Sequence, residues 1–172
     1  MLLCKRTLWE TRLIAQQDFR DAMSRLGAAV NVITTDGPGG RRGFTASAVC
    51  SVTDAPPTLL VCLNRASDSH AAMLANGVLC VNTLAAGQQA LSPIFAGQVT
   101  DDYNERFAAG SWTRLATGSP ALDGALANFD GRIVRSVDVG SHTVFFCEID
   151  ALRSQAGDGL MYFARGYRVV QG

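Results

Sequence analysis

Val30-Asn31-Val32-Ile33-Thr34-Thr35 runs into Asp36-Gly37-Pro38-Gly39-Gly40, and the chain then resumes as Gly43-Phe44-Thr45-Ala46-Ser47-Ala48-Val49-Cys50-Ser51-Val52. The first stretch is rich in β-branched residues, whose stiff side chains suit a pleated surface, and the glycines after it permit the positive φ of a tight turn. Together they predict a hairpin whose returning strand runs from about Gly43 to Val52. Asp54-Ala55-Pro56-Pro57 ends that strand, because consecutive prolines offer a ladder no N–H.

Working outward, apolar and β-branched runs predict further strands over 58–63, 78–84, 129–139, 143–152 and 160–163. Helical spacing is confined to short pieces. Residues 18–26 place Phe19, Ala22, Met23 and Leu26 on one face; 67–75 open on Ser67 as a candidate N-cap and stop at Asn76-Gly77; 88–95 form a third, shortened or bent by Pro93. Six or seven strands divided by turns predict a mainly β, antiparallel barrel rather than a doubly wound sheet, and no G-x-G-x-x-G follows a strand.

With 48% hydrophobic and 17% charged residues among 172, the chain suits one globular domain. Residues 1–16 read as an N-terminal extension and 17–170 as that domain. Fifteen basic residues balance fifteen acidic ones, leaving no excess charge for the counterion release that drives nucleic-acid binding. The apolar start breaks at Lys5, too early for a secretory segment, and no run approaches the roughly twenty apolar residues of a membrane span. The expectation is a cytoplasmic protein with neither nucleic acid nor membrane as partner. Of five cysteines, Cys50, Cys62, Cys80 and Cys147 sit in apolar runs and are expected to be buried and inert. With no C-x-x-C and only His70 and His142 as histidines, no metal site is expected.

Three segments carry candidate chemistry. Small residues after Gly43 let a flat ligand approach the backbone, although a closely packed barrel strand would use the same residues. Cys62-Leu63-Asn64-Arg65-Ala66-Ser67 is a strand end leading into a helix, where Asn64, Arg65 and Ser67 could clamp a phosphate or Ser67 could simply cap. Asp138-Val139-Gly140-Ser141-His142-Thr143 is a turn between two long strands that carries one histidine, either exposed or functional.

The order and spacing of Gly43 to Val52 and of Pro56 to Arg65 closely resemble the short-chain flavin reductase family. So do Gly77-Val78-Leu79-Cys80-Val81-Asn82-Thr83-Leu84, Glu105-Arg106-Phe107, Phe129-Asp130, Gly140-Ser141-His142 and Leu160-Met161-Tyr162. The likeness spans nearly everything from Asp18 to Tyr167. Within the family it is strongest to the reductases serving chlorophenol hydroxylases and pyrimidine-ring-opening oxygenases.

The resemblance implies a Greek-key, FMN-binding split β-barrel with a few short helices, assembled as a homodimer. It implies hydride transfer from NADH or NADPH to FMN or FAD, with reduced flavin passing to a flavin-dependent monooxygenase. Carried over by position, Phe44, Thr45, Ala46, Ser47 and Ala48 contact the flavin, the last four facing its isoalloxazine. Asn64, Arg65 and Ser67 hold its phosphate, and Asn82 and Thr83 match a strand lining it. His142, Arg165 and Tyr167 fall on the nicotinamide side. Two alternatives share the fold: a cobalt reductase of the cob(II)yrinic acid a,c-diamide type, and a split barrel that holds flavin or haem without catalysis.

Overall fold

The structure, a computed structural model, describes residues 14–172. Most of the expected N-terminal extension, with Cys4, lies outside the described residues.

A short helix α1 (Gln16–Met23) and a two-residue strand β1 (Ala28–Ala29) precede the expected hairpin, β2 (Asn31–Thr35) and β3 (Arg42–Ala46). The returning strand does not run unbroken to Val52: it stops at Ala46 and resumes as β4 (Val49–Asp54). β5 (Pro57–Asn64), helix α2 (Ser69–Asn76) and β6 (Val78–Thr83) follow. Gly77 ends α2 at φ +64°, the left-handed conformation that its lack of a side chain makes cheap. The helix expected over 88–95 divides into a single turn at Ala86–Gln88 and α3 (Leu91–Phe95), whose first turn tolerates Pro93. α4 (Tyr103–Ala108), β7 (Trp112–Arg114) and β8 (Pro120–Leu122) lead to a long hairpin, β9 (Ala127–Val139) and β10 (His142–Ser154). The chain closes with β11 (Gly159–Phe163) and β12 (Gly166–Val170).

Seven strands form one sheet in the order β3-β2-β6-β9-β10-β5-β4, with every neighbouring pair antiparallel. β3 and β4 are its opposite edges, yet only Ser47 and Ala48 separate them in the chain. Three extended residues reach no further than about 11 Å, so the sheet has to curl until its edges nearly meet at this point. Among the described residues no ladder joins the two edges.

The alternation of β2 explains where the core sits, because all five of its residues are buried. Ile33 packs inside the curl with Leu59, Val61, Leu79, Val81 and Phe145. Val32 faces the other way, into a second cluster with Leu84, Phe95, Phe107, Leu122 and Leu160. Phe95 meets Phe107 and Trp112 edge-on at centroid distances of 5.3 and 5.6 Å.

Two expectations need correcting. Cys80 and Cys147 are buried, but Cys50 is exposed and Cys62 half-buried, because β4 is an edge strand and no further layer of the described residues covers its outer face. The apolar face foreseen for residues 18–26 exists, but Phe19, Met23 and Leu26 remain exposed, since nothing in the described chain packs over them.

Candidate functional site

The three singled-out segments converge on one cavity of about 510 Å³. β3 with the Ser47–Ala48 link, the end of β5 with the loop into α2, and His142 all line it. Gly97, Asp101, Tyr103 and Arg106, from α4 and the segment before it, line it too and were not among the expected site residues.

At the strand break, Thr45 donates its hydroxyl to the Ser92 carbonyl at 2.7 Å, which fastens β3 to α3. The Ser47 carbonyl accepts from Val49 N–H at 3.0 Å and the Ala48 carbonyl from Cys62 N–H at 3.1 Å. The N–H groups of Ser47 and Ala48 donate to no acceptor among the described residues, and both residues are exposed. Two adjacent backbone donors therefore remain free where the side chains are smallest.

The loop into α2 is tied mostly to itself. Asn64 Oδ1 accepts from Ala66 N–H at 3.0 Å, and Ser67 Oγ accepts from Ser69 N–H at 3.3 Å. Ser67 lines the cavity but is not the N-cap; Asp68 holds that position and makes no side-chain capping bond. Arg65 is not part of the cavity lining. Its guanidinium pairs with Asp138 at 3.2 Å and donates to the Gly140 carbonyl at 2.9 Å, so it grips the turn on which His142 sits.

Arg106 supplies the buried charge that Arg65 does not. It is 6% exposed, donates Nε–H to the Thr100 carbonyl at 2.9 Å and stacks 4.5 Å from the Tyr103 ring centre. Its carboxylate partner, Asp101 at 3.5 Å, is almost fully exposed, so the ion pair is weak and leaves the guanidinium available to an anion. The signal for this helix was present in Asp102-Tyr103-Asn104-Glu105, a capping pattern in which Asp102 accepts from Asn104 N–H at 2.7 Å.

His142 is exposed at the cavity, with Nδ1 2.9 Å from Ser141 Oγ. Asp138 behind it is held below the ordinary carboxylate range, chiefly by the hydrogen bond from Thr143, with the Arg65 charge adding to the effect and desolvation opposing it.

The remaining expected residues lie elsewhere. Asn82 is fully buried, donating to the Val32 carbonyl at 2.9 Å and accepting from Leu122 N–H at 2.8 Å; Thr83 donates to Asn31 at 2.8 Å. Neither lines the cavity. Tyr167 donates to Ser92 Oγ at 2.9 Å and lines a second cavity of about 200 Å³, which shares Thr45, Ala46 and Ser47 with the first. Arg165 pairs with Asp21 and lines a third, of about 720 Å³, together with Ser47, Ala48 and Cys62. Ser47 thus stands where all three cavities meet. Burial pushes the Cys62 thiol up, which disfavours its reactive thiolate.

Residues 23–171 match the family model described as flavin reductase like domain. The chain is 60% identical over 160 residues to FMN reductase (NADH) RutF of Ancylobacter novellus, covering 92% of this chain and 87% of that protein. Among solved structures it resembles BorF, the flavin reductase component of a bacterial two-component tryptophan halogenase. There the TM-score is 0.84 at 29% identity, covering 91% of this chain and 98% of the other. It also resembles the styrene monooxygenase flavin reductase SMOB of Pseudomonas putida S12, with TM-score 0.79, 27% identity and coverages of 90% and 98%. With the family model matched over most of its length, this chain belongs to the flavin reductase family.

Proposed function

We propose that this protein oxidises NADH and reduces FMN, releasing the reduced flavin to a separate flavin-dependent monooxygenase. The observation that carries the reading is the pair of N–H groups at Ser47 and Ala48, without acceptors among the described residues, on a cavity of ligand size. A flavin fits this lining: Ala46 and Ala48 present only methyl groups to a flat ring, and the two N–H groups suit a ring edge of carbonyl and imine acceptors. Bound there, a flavin supplies a ring nitrogen that takes up hydride.

The chain's own part is positional. The Ser47 and Ala48 donors favour negative charge as it develops on the ring edge they contact. Arg106 and Ser67 take the phosphate, a role better suited to the buried guanidinium lining the cavity than to Arg65 outside it. Phe44 backs β3 from the core. His142 keeps Nε2 free to orient the nicotinamide, so that its reactive carbon meets the flavin at contact distance. Arg165 and Tyr167 extend the donor side, and Asn82 and Thr83 hold the strand behind.

Residues 17–170 act as one domain, read as a split barrel because its edges meet only at Ser47–Ala48. A second copy covers the exposed apolar residues of α1 and the third cavity. Among the described residues no helix is long and apolar enough to cross a membrane, which suits work in the cytoplasm.

Purified protein should turn over added free FMN many times at the expense of NADH; oxidation limited to one equivalent of bound flavin defeats the release step. His142→Ala should raise the NADH KM or lower kcat while flavin affinity stays near wild type. Wild-type kinetics would remove His142 from the site.

A further inference from the structure

The turn carrying His142 is tied from three directions. Gly140 takes φ +56° at the first position of a two-residue loop between β9 and β10, the left-handed conformation that so tight a hairpin turn requires. Arg65 grips both loop carbonyls: its N–H donates to Ser141 O at 2.9 Å and its guanidinium to Gly140 O at 2.9 Å. Asp138 then fixes Arg65 through the 3.2 Å ion pair and accepts from the Thr143 hydroxyl at 2.6 Å. Thr143, 1% exposed, lies 2.8 Å from His70 Nε2.

Proton counting sets the direction of this chain. Thr143 has one hydroxyl proton, and an ionised Asp138 can only accept, so that proton goes to Asp138. Thr143 must then accept from His70, which puts the single ring proton of a neutral His70 on Nε2. The connected groups run from α2 through His70, Thr143 and Asp138 to Arg65, and end on the two carbonyls beside His142.

We propose that Asp138 is a positioning residue for the nicotinamide donor. It holds the Arg65 guanidinium against the Gly140 carbonyl and Thr143 against α2, and so fixes the direction in which His142 reaches over the cavity. The inference rests on the reading that His142 contacts the nicotinamide.

The test is a double-mutant cycle on the full chain, measuring NADH KM, kcat and the flavin Kd for Asp138→Ala, His142→Ala and the pair. Directly coupled residues depart from additivity, so Asp138→Ala should raise the NADH KM about threefold or more with flavin Kd unchanged, and should add nothing once His142 is alanine. Thr143→Val, which keeps the shape and removes the hydroxyl, should reproduce the rise if Asp138→Ala folds poorly, and Thr143→Ser should recover most of it. A full Asp138→Ala effect persisting without His142, or a wild-type KM in both Asp138→Ala and Thr143→Val, overturns the proposal while leaving the His142 reading intact. A silent His142→Ala removes both.

Discussion

Two short links serve the same cavity, Ser47–Ala48 by lining it and Gly140–Ser141 by carrying the adjoining His142, and they are built in opposite ways. Ser47–Ala48 joins the two far edges of the main sheet, carries minimal side chains and leaves two N–H groups without acceptors among the described residues. Gly140–Ser141 joins two central neighbours, and both its carbonyls are taken by Arg65. The first link offers backbone to a ligand and is held by apolar packing of β3 and α3 behind it. The second offers a side chain and is held by a polar network near the surface. Residue identity should therefore matter little at the first link so long as bulk is absent and the N–H remains, and matter a great deal at the second.

The largest expected effect is on stability, and it separates the two kinds of support. Phe95, 1% exposed, packs against Gly43 of β3, the strand that leads into the first link, and Phe95→Ala should destabilise the fold by about 3–5 kcal/mol. Arg65 is half-exposed, and Arg65→Ala should cost no more than about 1 kcal/mol. Urea unfolding of both variants measures the difference; comparable losses would mean that the polar network is structural rather than positional.

Ala48→Pro deletes a backbone donor that no group among the described residues uses, at a residue outside the left-handed region. Losing a hydrogen bond to a charged or charge-developing acceptor costs about 1.5–3 kcal/mol, so flavin affinity should fall tenfold or more, while Ser47→Ala should stay near wild type. Fluorescence titration with FMN decides it, and an unchanged Ala48→Pro would take the flavin ring away from this link.

Arg106 sharpens the contrast at the phosphate. Arg106→Lys keeps the charge but loses the forked donors, so FMN should bind about tenfold more weakly while riboflavin, without a phosphate, changes little. Arg65→Ala should leave both affinities near wild type, because Arg65 lies outside the cavity lining. The ratio of the two affinities within one variant cancels any general loss of stability.

How much of this could be read beforehand follows from the same contrast. The long strands were legible because β-branched and apolar runs mark them, and His142 was legible as a histidine in a glycine turn. The break at Ser47–Ala48 was not, because no Gly, Pro, Asn or Asp interrupts Phe44 to Val52; only the need for one segment to serve both sheet edges imposes it. β7, β8 and β12 are too short or too mixed to show a period. A charge at a helix start suits an anion, which points Arg65 to the ligand, but Asp138, distant in sequence, engages it at the turn. Asn82 reads as a polar residue on a ligand strand, and only the packed fold reveals that Val32, Leu122 and Asn128 satisfy it within the core.

The smallest effect probes the polar network directly. Asp138 is held below its ordinary value first by the Thr143 hydroxyl and further by the Arg65 charge. A depressed carboxylate contributes its stabilisation above the unfolded-state value and loses it as the pH falls through the depressed one. The grip on the His142 turn should therefore be complete at neutral pH and fail only in acid, below the ordinary carboxylate range. The two causes differ in their response to salt. Arg65 and Asp138 are half-exposed, and at 1 M salt the screening length shrinks to about 3 Å, comparable to their separation; the Thr143 bond is short and insensitive. Carboxyl-carbon NMR titration of Asp138 should give a midpoint that rises modestly with salt in the wild type. In Arg65→Ala the midpoint should start higher and lose most of its salt dependence, whereas in Thr143→Val it should rise and keep that dependence. A Thr143→Val midpoint at the wild-type position would break the chain of hydrogen bonds at its central link, and with it the route from α2 to the His142 turn.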